Sequence, residues 1–220
     1  MSKSHLKRLA VPKSWNINKK TTKWVAKPDA GRKNSISLNV IFLEQLKLVT
    51  NMRELKNVLK TGTIFVDSKK IASPRFGVGF MDILKIEKES YRMVFDSKGR
   101  ITAKSVKDDK LKLVKIIGKT RLAKKTQLNL ADGRNVLVDK DEYKTGDSIV
   151  IDLESKKIKE HFKLGSGMLA YITSGNHISQ MGTVEKIEKN DAYIKSKEGT
   201  FKTLKDYVFI IGKEKPAVEL

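Results

Sequence analysis

Two tryptophans and ten lysines or arginines share the first 36 residues of this 220-residue chain, against a single acid, Asp29. The chemistry open to such a set is recognition of a polyanion. Ammonium and guanidinium groups neutralise phosphates, and indoles stack on bases or wedge between them. The run His5-Leu6-Lys7-Arg8-Leu9-Ala10-Val11-Pro12-Lys13-Ser14-Trp15 places His5, Lys7, Arg8, Lys13 and Trp15 close in sequence. Lys19, Lys20, Lys23, Trp24, Lys27, Arg32 and Lys33 follow. With so few aliphatic residues, the segment is not expected to fold by itself. Two readings stand side by side: an arm threaded along nucleic acid, or a solubilising tail. Trp15 and Trp24 likewise either stack on bases or pack onto the protein's own domains.

Composition narrows the class. The formal net charge is +21 and the pI is about 9.9, which points to nucleic acid or an anionic surface as partner. The charge declines along the chain. Residues 1–36 carry +9, residues 37–105 carry +6, residues 106–170 carry +5 and residues 171–220 only +1. Polyanion contact is therefore expected to be heaviest at the front. No apolar run approaches the ~20 residues of a membrane span, and Leu9-Ala10-Val11 is too short and interrupted for a signal-peptide core. The absence of cysteine removes disulfides and thiolate metal sites.

Catalytic motifs fail on inspection. Gly118-Lys119-Thr120 resembles the end of a phosphate-binding loop, but Leu113 stands where the first glycine is needed. Gly77-Val78-Gly79 would need a glycine at 82 to form a dinucleotide fingerprint, and Asp82 is there. His5, His161 and His177 are widely separated and lack i,i+4 spacing with carboxylates. The expectation is a binding protein, not an enzyme, with no cofactor and no metal.

The elements that must position the cations come next. Val40–Val49 reads as a short, largely buried helix. Asn51, three residues before Glu54, is a capping signal for a helix over Met52–Lys60, which ends at Thr61-Gly62. On that helix Leu55, Val58 and Leu59 share one face, while Arg53, Lys56 and Lys60 lie within about 60° of one another on the other. Such a basic face is either a contact surface or simply solvated. Strands follow at Thr63–Val66 and Asp82–Ile86, with Asp67-Ser68-Lys69-Lys70 as a turn. A hairpin, Tyr91–Phe95 with Arg100–Ala103, flanks Asp96-Ser97-Lys98-Gly99. Beyond it the chain reads as strands: Leu111–Ile117, Thr126–Leu130, Asn135–Val138 after the Asp132-Gly133 turn, Ser148–Leu153 and Ile158–Leu164. Leu169–Ile172, Gly182–Ile187 and the strands around Tyr193-Ile194, Phe201–Thr203 and Phe209–Gly212 give a five-strand, small-barrel pattern. Lys213–Leu220 is expected to be a loose tail.

Several of these motifs, in order along essentially the whole chain, resemble the ribosomal protein S4e family of the archaeal and eukaryotic small subunit. They are His5-Leu6-Lys7-Arg8, Pro12-Lys13-x-Trp15, Gly79-Phe80-Met81-Asp82, Tyr91-Arg92-x-x-x-Asp96-x-Lys98-Gly99-Arg100 and Ile210-Ile211-Gly212-Lys213. The resemblance implies an α+β, mostly β protein. It would consist of a basic N-terminal arm over 1–36, an S4-type RNA-binding domain (two helices on a small sheet) over 37–105, a central β domain over 106–170, a KOW/SH3-like barrel over 171–212 and a tail over 213–220. Carried over to matching positions, RNA would meet Arg53, Lys56 and Lys60, with Lys69, Lys70 and Arg75 nearby. Lys47, Lys98 and Arg100 are also expected to bind RNA, and in the barrel the loop before Gly182 would offer Asn176 and His177. Three departures stand out. Asp67-Ser68-Lys69 replaces Asp-Gly-Lys, Ala30-Gly31-Arg32 replaces Gly-Pro-His, and Ser179-Gln180 replaces a Gly-Arg pair, which puts the barrel's hold on RNA in doubt.

The function expected is a structural constituent of the small ribosomal subunit that binds and stabilises its rRNA. The alternative is a KOW-containing transcription or RNA-processing factor acting outside the ribosome. Expected partners are small-subunit rRNA and neighbouring small-subunit proteins. No membrane, small-molecule substrate or homo-oligomer is expected, and the protein would be cytoplasmic, within the particle. Removing residues 1–36 is expected to lower rRNA affinity and flatten its salt dependence. The Lys-rich, Cys-free composition and the short end after Ile211-Gly212 favour an archaeal source.

Overall fold

The computed structural model describes residues 4–29, 35–87, 89–122, 125–139, 141–196 and 199–219. The fold is α+β and mostly β, and it divides into two compact units, Met1–Asp109 and Lys110–Leu220. The first unit takes in the expected arm and first domain together with residues 106–109, which the expected central domain included.

The first unit opens with β1 (His5–Lys7), which pairs antiparallel with β2 (Trp24–Ala26) in the register Leu6↔Val25. β3 (Ile36–Ser37) leads into α1 (Leu38–Val40), which continues as a π turn over Ile41–Gln45. The helix read over Val40–Val49 is therefore shorter and starts earlier. The wider turn closes with Leu46 N–H on the Ile41 carbonyl (2.9 Å), and Lys47 at φ 54° takes the chain out of it. α2 (Met52–Thr61) matches its sequence signals closely. Asn51 Oδ1 accepts from the Arg53 and Glu54 N–H groups (both 3.0 Å), and Glu54 turns back to the Thr50 N–H (2.7 Å). That bond holds the Glu54 carboxyl below its usual range. Gly62 ends the helix at φ 76°, a left-handed position that glycine adopts without a Cβ clash.

A five-stranded antiparallel sheet completes this unit. Its strands are β4 (Ile64–Val66), β5 (Lys69–Lys70), β7 (Ile83–Ile86), β8 (Glu89–Phe95) and β9 (Ile101–Ser105), in the order β5-β4-β7-β8-β9, while β6 (Gly77–Val78) pairs with β3. The β4–β5 turn has Asp67 at φ 49° and Ser68 at φ 62°. Two successive positive φ values define the type I′ hairpin turn, in which Ser68 occupies a position suited to glycine. Leu55 and Leu59 of α2 are buried with Leu38, Ile41, Phe42, Ile64, Leu84, Met93 and Ile101. The helix's apolar face is thus its core face, and Val58 stands at its half-buried margin.

The arm does not behave as the free tail its composition suggests. Trp15 is 5% exposed; its Nε1 donates to the Ser35 carbonyl (3.0 Å), and Ile101 N–H donates to the Ser14 carbonyl (2.7 Å). Arg8, also 5% exposed, donates to the carbonyls of Asn18 (2.7 Å) and Thr22 (2.9 Å), to Thr22 Oγ1 and to Glu44 Oε1 (2.8 Å). Ser37 Oγ donates to the Ala26 carbonyl (3.0 Å), and Asp29 N–H to that of Arg75 (2.9 Å). The physical reason is burial: Val11, Trp15 and Val25 supply enough apolar surface, once partners from residues 35–101 are present, to offset ordering of the loop.

The second unit holds two five-stranded antiparallel sheets. The first comprises β10 (Leu111–Arg121), β11 (Thr126–Leu130), β12 (Asn135–Val138), β13 (Ser148–Asp152) and β14 (Ile158–Phe162), ordered β12-β11-β10-β13-β14. β10 serves both halves: its first five residues pair with β13, and a register shift between Ile116 and Gly118 turns the rest onto β11. Val114, Ile116, Leu128, Leu130, Ile149 and Ile151 form the core. Lys112 and Asp132, nearly wholly buried, face each other at 3.2 Å. The second sheet comprises β15 (Leu169–Ile172), β16 (Met181–Glu188), β17 (Asp191–Ser196), β18 (Gly199–Leu204) and β19 (Val208–Gly212), ordered β18-β17-β16-β15-β19. A Cβ on Gly182 would fall 2.5 Å from the Lys195 carbonyl oxygen, so only glycine fits where β16 passes β17. The end of the chain is tied down, contrary to the loose tail expected. Ala217 N–H donates to the Ile211 carbonyl (2.8 Å), and Val218 is buried at 4% exposure.

Candidate nucleic-acid interface

The cations of the first unit sort into committed and free. α2 presents Arg53, Lys56 and Lys60 on its outer face, all exposed and none paired with a described carboxylate. The helix period that buries Leu55 and Leu59 forces these three outward. Lys69 and Lys70 of β5 are exposed beyond the end of the helix, where the Lys70 side chain lies across Gly62. A cation there also suits the negative end of the helix dipole. Lys47 is exposed after the π turn.

In the arm, Lys7, Lys13, Lys19, Lys20, Lys23 and Lys27 are exposed, and so are His5 and Trp24. Arg8 and Trp15, both expected as RNA contacts, are buried. The first is closed into its ion pair with Glu44, and the indole of the second is packed on the protein with its Nε1 on the Ser35 carbonyl. Arg32 and Lys33 lie outside the described residues, as does the Ala30-Gly31-Arg32 departure. Lys98 is exposed in the β8–β9 turn, where Asp96 Oδ1 accepts from the Lys98 and Arg100 N–H groups (2.9 and 2.8 Å). Arg100 is half-buried and reaches back to Asn16 Oδ1 (3.3 Å).

Four of the expected residues converge on one cleft of about 600 Å³. His5 and Trp24 come from the β1–β2 hairpin, Lys56 from α2, and Arg75 from the segment before β6; Asn39, Met52 and Pro74 complete much of the lining. Trp24 is 47% exposed. His5 meets it edge to face, with centroids 4.7 Å apart and planes at 77°, and Lys23 Nζ lies 5.2 Å from the ring centroid. Arg75 pairs with Asp29 Oδ1 (2.7 Å), and Ser73 Oγ donates to Oδ2 of the same carboxylate (2.7 Å). The sequence offers no sign of Asn39, Met52 or Pro74 in this role, because each looks like an ordinary core or loop residue until the arm folds over them.

In the second unit, Asn176 is exposed before β16. His177 is half-buried, stacked on Phe201 (3.9 Å, 13°), with Nδ1 3.1 Å from Gln180 Oε1. Ser179 has φ 73°, which is why glycine suits this place. Gln180 fixes the histidine ring and adds no cation. The remaining histidine, His161, sits 2.7 Å from Asp147 Oδ2 and against Tyr143.

The fold and the site together define an α+β, mostly β protein that turns a set of cations outward. Comparison with known proteins assigns the family. Residues 87–158 match the model described as Ribosomal family S4e, and residues 2–31 match the RS4NT (NUC023) domain. The small ribosomal subunit protein eS4 of Methanosphaera stadtmanae is 40% identical over 233 aligned positions, covering 100% of this chain and 96% of the relative. That of Archaeoglobus fulgidus is 39% identical, covering 100% and 99%. A crystal structure of the 30S ribosomal protein S4e from Thermoplasma acidophilum superposes with a TM-score of 0.73 at 35% identity, covering 83% of this chain and 97% of that one. The chain belongs to the S4e family of ribosomal proteins.

Proposed function

We propose that this chain is a structural constituent of the small ribosomal subunit and binds small-subunit rRNA through its first unit. The single observation that carries the reading is the unpaired cation face Arg53–Lys56–Lys60, which is continuous through Lys56 with the folded arm. In this reading residues 37–105 act as an S4-type domain, with RNA lying across α2 and the β4–β5 turn. The last sheet acts as a KOW-type barrel whose loop around Asn176 touches RNA with little charge. Lys and Arg offset phosphate repulsion where RNA segments meet, so binding falls steeply with salt. The homologues named small ribosomal subunit protein eS4 support the setting.

The test is a sucrose gradient of the full chain at moderate salt, with archaeal 30S-size particles present. The expected result is co-sedimentation with the particle, and Arg53→Gln with Lys60→Gln should weaken the rRNA affinity and lower its salt slope by about 2, one per lost phosphate contact. Co-sedimentation with RNA polymerase, or an unchanged slope, would overturn the reading. Deleting residues 1–36 is no longer a clean probe of affinity, because it also removes Trp15 and Arg8 from the fold.

A further inference from the structure

The cleft beside Trp24 has features that phosphate neutralisation does not need. Cations alone would serve on an open helix face, as Arg53 and Lys60 do. Here an indole instead meets His5 in a T-shaped contact and the Lys23 ammonium over its ring, with about half its surface left open. A ring fixed before binding loses little rotamer freedom when another ring stacks on it. Asn39 in the lining is 8% exposed, and its Oδ1 is shut off from water with no hydrogen-bond partner. An unmet buried acceptor is costly, so a ligand donor that reaches it is favoured. The last torsion of an asparagine is broad and nearly two-fold, so the carboxamide can turn to offer either its oxygen or its NH₂ to the cleft. Lys56, unpaired, stands in the same lining, and the Arg75 side chain keeps 36% of its exposure beside Asp29. The volume of about 600 Å³ falls within the roughly 300–1,000 Å³ of pockets that take small organic groups.

We infer that this cleft receives one unpaired nucleotide of single-stranded RNA, its base stacked at Trp24 and its edge met by the Asn39 carboxamide, with Lys56 and Arg75 on the adjoining phosphate. The inference rests on the RNA-binding function proposed above and deepens it by naming what the site takes. A duplex cannot supply the base, because its rings are stacked on their neighbours. Met52 and Pro74 add apolar atoms to the lining. Asp29 limits Arg75 to a shared role, so Lys56 carries most of the phosphate contact.

The test uses the full-length chain and two labelled probes, an octamer of oligoadenylate RNA and an octamer of the same ribose-phosphate backbone without bases. Affinity is read by anisotropy at several salt concentrations, and Trp24 emission is assigned by comparison with Trp24→Phe. The expected result is that the adenylate octamer binds about 5- to 150-fold more tightly than the abasic one, the range that corresponds to one stacked base, and quenches Trp24. Trp24→Ala is expected to remove that difference without altering the salt slope, Trp24→Phe to keep most of it, and Lys56→Gln to weaken both probes alike and lower the slope by about 1. Equal affinity for the two probes, or a difference that survives Trp24→Ala, overturns the base pocket. If rRNA binding persists in that case, the ribosomal reading stands without it. If the wild-type chain binds neither probe nor rRNA, both fall together. The probe comparison on wild-type protein does not depend on any variant folding.

Discussion

Replacing Arg8 with methionine separates a structural cation from a contact cation, and its effect can be worked from the geometry. The guanidinium makes five hydrogen bonds: Nε to the Thr22 carbonyl (2.9 Å) and Oγ1 (3.1 Å), Nη1 to the Asn18 carbonyl (2.7 Å), and Nη2 to Thr22 Oγ1 (2.7 Å) and Glu44 Oε1 (2.8 Å). Methionine keeps the aliphatic length and none of the donors. Removing one partner of a buried ion pair costs about 3–5 kcal/mol. Glu44 retains 21% of its side-chain exposure, so water takes over part of the lost bond, and the lower end, about 3 kcal/mol, is the expected loss. That is roughly a 100-fold shift toward arm release. The arm carries Trp15 with it, so urea titration followed by tryptophan emission should show an early transition at a lower midpoint, with hydrogen exchange speeding up over residues 5–26. The salt slope of rRNA binding under folded conditions should stay where it was, since Arg8 offers almost no surface to a phosphate. A stability change below about 0.5 kcal/mol, or a slope reduced by one, would refute the assignment of Arg8 as the clasp.

Ser68→Gly is expected to stabilise the first unit by about 1 kcal/mol, because φ 62° suits glycine and strains a residue with a Cβ; thermal unfolding checks it, and a lowered midpoint would count against the type I′ reading. Lys115 sets a pH dependence in the second unit. Its Nζ donates to the carbonyls of Asp206 and Val208 (both 2.8 Å), and burial pushes its pKa down to about 8. An unfolded lysine titrates near ~10.4, so between pH 8 and that value the unfolded chain binds more protons and stability should rise with pH. The difference in urea midpoint between wild type and Lys115→Met, followed from pH 7.5 to 10, should track that rise; a flat difference would show that burial does not shift the group.

The sequence signals that survived folding are local ones. α2 was legible because its cap (Asn51), its period (Leu55, Leu59) and its stop (Gly62) all lie within twelve residues and agree. The Asp96–Gly99 and Asp132-Gly133 turns were legible for the same reason: each carboxylate caps a backbone N–H two residues on. The arm was not, because what folds it lies far along the chain. Arg8 waits for Glu44, Trp15 for Ser35 and Ile101, and Ser37 for Ala26. Composition over 36 residues registers neither Glu44 and Ile101, which lie beyond it, nor the pairing of Trp15 with Ser35, 20 residues apart within it. Val218 deceived in the same way, since its burial depends on the turn back along β19. Of the cleft, Lys56 and Arg75 were readable as cations and Trp24 as an aromatic. Their convergence with Asn39 was not, because five separate segments build it.

The distance between Trp15 and Ile101 also sets an order of events during synthesis. The arm leaves the translating ribosome first, but the strand that seats Trp15 follows 86 residues later. At ~5–20 residues per second, that is roughly 4–17 s. Through the first part of that interval Arg8 lacks the Glu44 carboxylate, and through all of it Trp15 lacks its seat on Ile101, so a nascent chain is a stickier polycation than the finished protein. Closure of the arm removes one arginine and one tryptophan from that surface. What begins as indiscriminate attraction is thereby narrowed, by folding alone, to the cations and the single indole that remain outside.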